Sequence, residues 1–339
     1  MRIAVTADPE LPVPPKLYGG AERIVDMLVR GLTARGHRVT LFANPASDVP
    51  CELVPYEGKS SVAWNDMLKN MSLVSHAVKR GNFDLVHSFG RLAYLLPLLP
   101  TRIPKIMSYG RWISARSVIL GTLFSSGTLH FTACSRFMIE EVKKFGKWHV
   151  IYNMVPVSSY RFNPSVPAGA PLVFLGRVEH GKGTHLAIEV AMKCSRRLVI
   201  AGNVEDEHRG YFEEEVAPHL CPGKVEYVGP VDDAQKNELL GGAAAMLMPI
   251  LWREPFGMVM AEALACGTPV IALRRGAVPE IVEDGKNGFI CDDTDGMARA
   301  VGRLGELDRA ACRRVAQDRF SQDVIVGAYE ALYRELARR

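Results

Sequence analysis

Arg2-Ile3-Ala4-Val5-Thr6 is a short β-branched run, and residues 19–35 follow it with Ile24, Val25, Leu28 and Leu32 on one helical stripe. Gly36 stops that helix, and Arg38-Val39-Thr40-Leu41-Phe42-Ala43 is a second apolar run. This strand–helix–strand unit recurs along the chain. A helix is predicted near residues 62–79, strands at 84–88, 105–108 and 128–133, a helix capped by Ser135 and running through Lys144, and a strand at 149–152. Residues 153–170, with three prolines, read as a linker. The pattern then restarts, with strands at 172–175, 198–201, 225–228, 245–248 and 269–272 and helices near 184–192, 234–241 and 257–265. From Met297 onward it is helical. Alternation of this kind predicts an α/β protein of two Rossmann-like, doubly wound domains facing a central cleft, with ligand loops at the carboxyl ends of the strands and a helical C-terminal tail. The expected boundaries are 1–154, 155–318 and a final helix, 319–339, packing back toward the first domain.

The 339 residues suit two domains better than one, and 48% hydrophobic with 23% charged residues excludes a disordered or fibrous chain. No stretch reaches the ~18–20 apolar residues of a membrane span, and the first eight residues already contain Asp8. The seven cysteines are scattered with no CxxC pair, which disfavours a disulfide framework or a zinc site and predicts a reducing, cytoplasmic setting. Charge is uneven. Residues 1–155 hold 19 basic against 11 acidic residues, and the remainder holds 22 against 26. Between Lys79 and Arg116 seven cations face only Asp84. That suggests an anionic ligand or surface beside the plain reading of solvated charge. Nucleic acid is disfavoured, since no aromatic-interleaved basic stripe and no helix-turn-helix signature occurs.

Three constellations could carry chemistry. In Glu254-Pro255-Phe256-Gly257-Met258-Val259-Met260-Ala261-Glu262 a loop ends in a helix starting near Gly257, whose amides with those of Met258 and Val259 would seat a diphosphate. Glu262 could accept ribose hydroxyls and Glu254 could reach a sugar; a dipole-favoured glutamate and a solvated one would suit the same positions. In Gly176-Arg177-Val178-Glu179-His180-Gly181-Lys182-Gly183, directly after a strand, Arg177 and Lys182 could neutralise a departing diphosphate, or be two exposed loop cations. Tyr18-Gly19-Gly20-Ala21-Glu22 opens the first helix, where Gly19 and Gly20 allow close backbone approach. It is not GxGxxG, and no acidic residue follows on the second strand, so a nicotinamide cofactor is disfavoured. Asp293-Thr294-Asp295 looks like a metal motif but fits helix capping better.

Taken in order, Gly19-Gly20-Ala21-Glu22, Arg35-Gly36-His37, Val86-His87-Ser88, Gly176-Arg177 with Lys182-Gly183, the run from Glu254 to Val270 and the run from Gly276 to Phe289 resemble the retaining nucleotide-sugar glycosyltransferases of family 4, which have the GT-B fold. The resemblance covers nearly the whole chain. It implies that Arg177 and Lys182 bind the donor diphosphate, Glu262 the ribose and Glu254 the donor sugar, and that Gly19 and Gly20 border donor phosphate and acceptor. It also implies a UDP- or GDP-linked donor, a hydroxyl acceptor, retained anomeric configuration, no metal and no further cofactor. Two positions depart from the family pattern. Phe89 stands where a histidine is common, with His87 before it, and Tyr109 replaces another histidine, next to Arg111. His87, Tyr109 and Arg111 are the acceptor-side candidates, His87 also reading as a satisfied strand-end residue. The rivals are an epimerase, hydrolase or phosphorylase on the same fold, and a non-catalytic sugar-nucleotide-binding subunit. Finally, Arg111-Trp112 and the apolar run to Phe124 read either as a core helix flanked by arginines or as a contact with an anionic membrane.

Overall fold

Strands covered on both faces must be apolar at nearly every position, and the short runs of this chain meet that condition. In the computed structural model, which describes residues 1–16 and 19–338, β1 (Arg2–Thr6), β2 (Arg38–Ala43), β3 (Glu52–Pro55), β4 (Leu85–Ser88), β5 (Lys105–Tyr109), β6 (Leu129–Ala133) and β7 (Trp148–Val150) form one sheet. All its ladders are parallel and its order is β3-β2-β1-β4-β5-β6-β7, with Ile3 paired to Val39 on one side and Leu85 on the other. The intervening helices are α1 (Gly20–Ala34), α2 (Trp64–Arg80), α3 (Ala115–Phe124) and the single turn α4 (Arg136–Ile139). Tyr18, at the head of the Gly19-Gly20 motif, lies outside the described residues.

The second sheet has the order β10-β9-β8-β11-β12-β13, again parallel. Its strands are β8 (Leu172–Leu175), β9 (Leu198–Ala201), β10 (Val225–Tyr227), β11 (Ala245–Met248), β12 (Val270–Leu273) and β13 (Gly288–Cys291). Around them lie α5 (Thr184–Lys193), α6 (Arg209–Tyr211), α7 (Asp233–Gly242), α8 (Met258–Ala265), α9 (Val278–Ile281), α10 (Thr294–Gly302) and α11 (Arg309–Phe320). The chain divides into two units, Met1–Met154 with Gln322–Arg339 and Val155–Ser321. The last helix, α12 (Gln322–Ala337), belongs to the first unit and packs on α1. There Gln322 Nε2 donates to Met27 O (2.8 Å), and Glu330 accepts from Arg35 Nη1 and pairs with His37 Nε2 (both 2.9 Å).

In each sheet the chain winds outward from a central pair, β1/β4 and β8/β11. The loops leaving those neighbours diverge to opposite faces and leave a crevice at the carboxyl ends of the strands, where ligands of such sheets bind. The predicted elements that differ do so for local reasons. The helix capped by Ser135, whose Oγ accepts from Met138 N, ends at Ile139 and not at Lys144. The following residues turn so that Val142 is buried and Gly146 lies where a Cβ would be 2.7 Å from Phe131. The edge strands β3 and β13 were not predicted. Residues 153–170 are a packed segment and no free linker: Met154, Val155, Val157 and Tyr160 are buried, and Val155 bridges to Ser321. Asp293 caps α10 by accepting from Gly296 N at 2.6 Å, the role expected for it. Among the described residues no helix is long and apolar enough to cross a membrane.

Candidate active site

The loops leaving β8 and β11 are locked together before any side chain is considered. Gly183 adopts φ +76, and a Cβ there would stand 2.1 Å from Pro249 O, so only glycine lets the loop after β8 press against the end of β11. Leu251 N donates to Gly181 O (3.0 Å), and Ala277 N, from the turn after β12, donates to Glu254 O (2.9 Å). These bonds bring Lys182 to Glu254, its Nζ 2.8 Å from Glu254 Oε2. Trp252 joins them: its Nε1 donates to the same Oε2 (2.9 Å), and the ammonium lies 4.5 Å from the centre of its ring. Both donors use Oε2, which leaves Oε1 able to accept a further hydrogen bond. Glu254 is buried and Lys182 largely so, which removes the reading of Lys182 as an exposed loop cation.

Gly257 caps α8 at φ +79, close-packed on Met260 and on Glu254 Cγ. It turns the chain so that Glu254 precedes the helix, and no residue within α8 can accept from the amides of Met258 and Val259. Glu262, one turn further, is buried; its Oε1 is held by Lys236 Nζ (2.8 Å), reaching from α7, above the Tyr160 ring (5.6 Å). Burial pulls the Lys236 ammonium down, but the Glu262 and Asp233 carboxylates outweigh it and hold the ammonium above its usual range. Burial and the same Glu262 charge push the Tyr160 phenol far up. Arg177 turns the other way. Its guanidinium bonds Glu179 Oε1 (3.2 Å) and Glu205 Oε2 (3.3 Å), and buried Glu179 also pairs with His208 (3.1 Å). The two predicted cations therefore leave one strand end held by separate carboxylates, Lys182 toward the β11 loop and Arg177 toward the β9 loop.

The other predicted residues lie in the first unit. Gly19 is the buried N-cap of α1, and Gly20 is its exposed first residue. His87, an acceptor-side candidate, is enclosed on β4: Nδ1 meets Tyr333 Oη (2.5 Å), Nε2 meets Ser108 Oγ (2.6 Å), and burial pushes its pKa down to about 3. It is a neutral structural histidine joining α12 to the sheet, so the acceptor-side reading fails for it. Tyr109 packs beside the stacked pair Phe131 and Trp148, its buried hydroxyl without a partner among the described residues, and Arg111 is exposed. At the β1/β4 crevice the structure shows a group the sequence reading passed over. Asp8, just past β1, sits where a Cβ on Gly90 would be 2.9 Å from its Oδ1, and that buried oxygen has no partner among the described residues. Burial first, then Glu10 and Glu22, raise its pKa to about 6 against the opposing pull of Arg91 and Arg111. Trp252, Glu179 and Lys236 were missed too. The tryptophan two residues before Glu254 was a visible signal, whereas Lys236 comes from another helix and gave none.

Most of the chain matches known families. Residues 163–318 match the family described as "Glycosyl transferases group 1" and residues 18–159 that described as "Glycosyltransferase Family 4". A D-inositol 3-phosphate glycosyltransferase of Xylanimonas cellulosilytica is 31% identical, over 86% of this chain and 79% of that protein. The chain belongs to the family 4 glycosyltransferases. A glycogen synthase of Mycobacterium tuberculosis is 27% identical over 91% of this chain and 88% of its own. The structure of HepE from Anabaena in complex with UDP-glucose superposes with a TM-score of 0.74 at 18% identity, covering 99% of this chain and 100% of that one. The family 4 fold, GT-B, is thus present as two parallel α/β units.

Proposed function

We propose that this glycosyltransferase moves a hexosyl group from a nucleotide-diphosphate sugar, UDP- or GDP-linked, to a hydroxyl of a glycan, lipid-linked or small-molecule acceptor, with retained anomeric configuration. The observation that carries the proposal is the Lys182–Glu254–Trp252 cluster beside the start of α8, at the switch point of the second sheet. In this reading the bond between the sugar's anomeric carbon and the diphosphate oxygen breaks. Negative charge develops on that oxygen, and Lys182 and the α8 amides meet it; Arg177 joins them only by leaving Glu179 and Glu205. The acceptor hydroxyl bonds to the anomeric carbon from the face the diphosphate leaves, and its proton passes to the departing phosphate oxygen. Glu254 Oε1 holds hydroxyls of the sugar, while Trp252 and Lys182 keep the carboxylate in place. Glu262 accepts from the ribose through the oxygen that Lys236 does not hold. Charge compensation by side chains makes the transfer independent of a metal. For the acceptor we assign the β1/β4 switch point, where Asp8 Oδ1, without a partner among the described residues, can accept from a hydroxyl.

Support for a UDP-linked donor comes from HepE, which binds UDP-glucose. A thermal-shift series with UDP-, GDP-, ADP- and dTDP-sugars tests the donor. The matching nucleotide, at ~100 times its dissociation constant, should add about 2.7 kcal/mol of stability. No shift with any of the four removes the donor assignment. An inverted product anomer by NMR removes the retaining one.

A further inference from the structure

The segment read as either a core helix or a membrane contact turns out to be packed on one side only. Of α3 just Val118 and Gly121 are buried, the latter against Leu129 and Leu92. The opposite face carries Arg116, Leu120, Leu123 and Phe124, which follow the i, i+4, i+7, i+8 spacing of a single helical stripe. Leu120 is 55% exposed, Leu123 71% and Phe124 64%, and Trp112, just before the helix, is 89% exposed. An apolar stripe on the outer side of a helix whose inner side is already apolar is costly in water and points to a covered surface.

Charge says what covers it. From Leu85 through Ile139 the sequence contains no aspartate or glutamate. Arg111 and Arg116 stand exposed at the start of the stripe. At its far end Lys147 Nζ donates to Gly127 O (2.7 Å), and Thr128 Oγ1 donates to the Thr101 carbonyl (3.3 Å), which places exposed Arg102 beside it. Lys143 and Lys144 are exposed in the turn whose Gly146 lies 3.0 Å, measured from a Cβ, from Thr122 of α3. Cations thus flank an apolar stripe at both ends, and a tryptophan stands at one margin. A protein partner would need a matching acidic rim around an apolar centre; a bilayer of anionic lipid supplies phosphates around acyl chains without further fitting.

We propose that α3 with Trp112 is a docking face for an anionic lipid membrane. The stripe seats at the boundary of head groups and acyl chains, about 5–10 Å deep, while the flanking arginines and lysines pair with lipid phosphates. The surface stands on its own exposed residues. Its extension, an acceptor carried by a lipid, rests on the transferase reading above.

Vesicle binding needs no turnover, so the two ideas can fail separately. The full chain is sedimented with vesicles of phosphatidylglycerol and phosphatidylcholine, and with phosphatidylcholine alone, at low and high salt. The expected result is binding to the anionic vesicles, at least tenfold weaker on pure phosphatidylcholine or at high salt. Leu123→Ser with Phe124→Ser, which removes only exposed side chains and should leave the melting temperature unchanged, should weaken binding at least tenfold. Arg111→Ser with Arg116→Ser should weaken it less and flatten the salt dependence. Absence of binding to anionic vesicles at low salt overturns the proposal. So does a stable dimer in sedimentation equilibrium that the Leu123/Phe124 variant dissociates, because a second copy then covers the face.

Discussion

The two switch points of this glycosyltransferase share one strand order and differ in what their loops carry. At β8/β11 the carboxylates are paired with cations: Glu254 with Lys182, Glu179 with Arg177 and, one helix away, Glu262 with Lys236. At β1/β4 the acids crowd one another. Burial first, then Glu10 and Glu22, raise the Asp8 pKa against the weaker pull of Arg91 and Arg111, and its buried oxygen has no partner among the described residues. In the proposed reading the first arrangement serves an anion, with its cations already held in position. In the same reading the second serves a neutral, hydroxyl-bearing molecule, which could donate to the Asp8 oxygen. The shared strand order, to which the first sheet adds β7, sets where the two crevices lie, and loop residues set how they differ.

The largest effect that could break this comparison belongs to Lys182→Ala. If the β8/β11 loops hold the leaving group, turnover should fall about 10²–10³-fold, as for the loss of one preorganised charge partner. The far-UV circular dichroism should be unchanged, because the Gly181–Leu251 and Ala277–Glu254 backbone bonds that fix the loops remain. Near-normal kcat with an intact spectrum would remove the cluster from the chemistry.

How much of this could be read beforehand follows from burial. β8, β9, β11 and β12 are buried at every position, so each is a continuous apolar run and was legible. β3 is half-exposed at the sheet edge and mixes glutamate and proline into its four residues, which hides it. β13, at the other edge, opens on a glycine, which weakens its strand signal. The site was legible where its parts adjoin a strand end in sequence, as Lys182 and Glu254 do. It was not legible where the partner comes from a distant element, as Lys236 does for Glu262, or where an ordinary residue is made unusual by packing, as Asp8 is. For His87 the satisfied strand-end reading holds and the acceptor-side one does not, though its main partner could not be read from the sequence. Its enclosure depends on Tyr333, 246 residues later in the chain, and no local pattern announces that contact.

Asp8→Asn sharpens the comparison by separating stability from function. The folded pKa of Asp8 is raised, so the fold binds its proton more tightly than the unfolded chain does. The ionised group therefore costs stability above pH 6 and less as pH falls. Removing the charge should stabilise the protein by up to about 3 kcal/mol at pH 7, from a shift of 3.8 to about 6, and by roughly half that at pH 5. The same variant should raise KM for the acceptor, since an amide replaces the unpartnered carboxylate oxygen. Greater stability with weaker acceptor use is the pattern of a residue kept for function. Urea denaturation at the two pH values and initial rates against acceptor concentration measure both. A destabilised variant would show that Asp8 is satisfied in the fold and has no strain to release.

The smallest effect concerns β4, where a titratable group lies next to the same crevice and yet is shut away from it. His87 has a folded pKa near 3 against 6.5 when unfolded, so between those values the unfolded chain takes up a proton that the native state refuses. Stability held at pH 7 is thus lost as the solution is acidified, by about 2 kcal/mol between pH 7 and pH 5 from this residue. Asp8 works in the opposite direction over the same interval, so the wild-type profile alone will not show it. The difference between wild type and His87→Gln cancels Asp8. At pH 7 the variant should be less stable by about 1–3 kcal/mol, through weakened bonds to Tyr333 and Ser108. That gap should narrow by about 2 kcal/mol at pH 5, because only the wild type carries the histidine penalty, while turnover at pH 7 stays near normal. A gap that holds constant from pH 7 to pH 5 would mean the ring accepts protons in the folded protein. In that case β4 presents a working histidine to the crevice, and the contrast drawn between the two switch points would have to be redrawn around it.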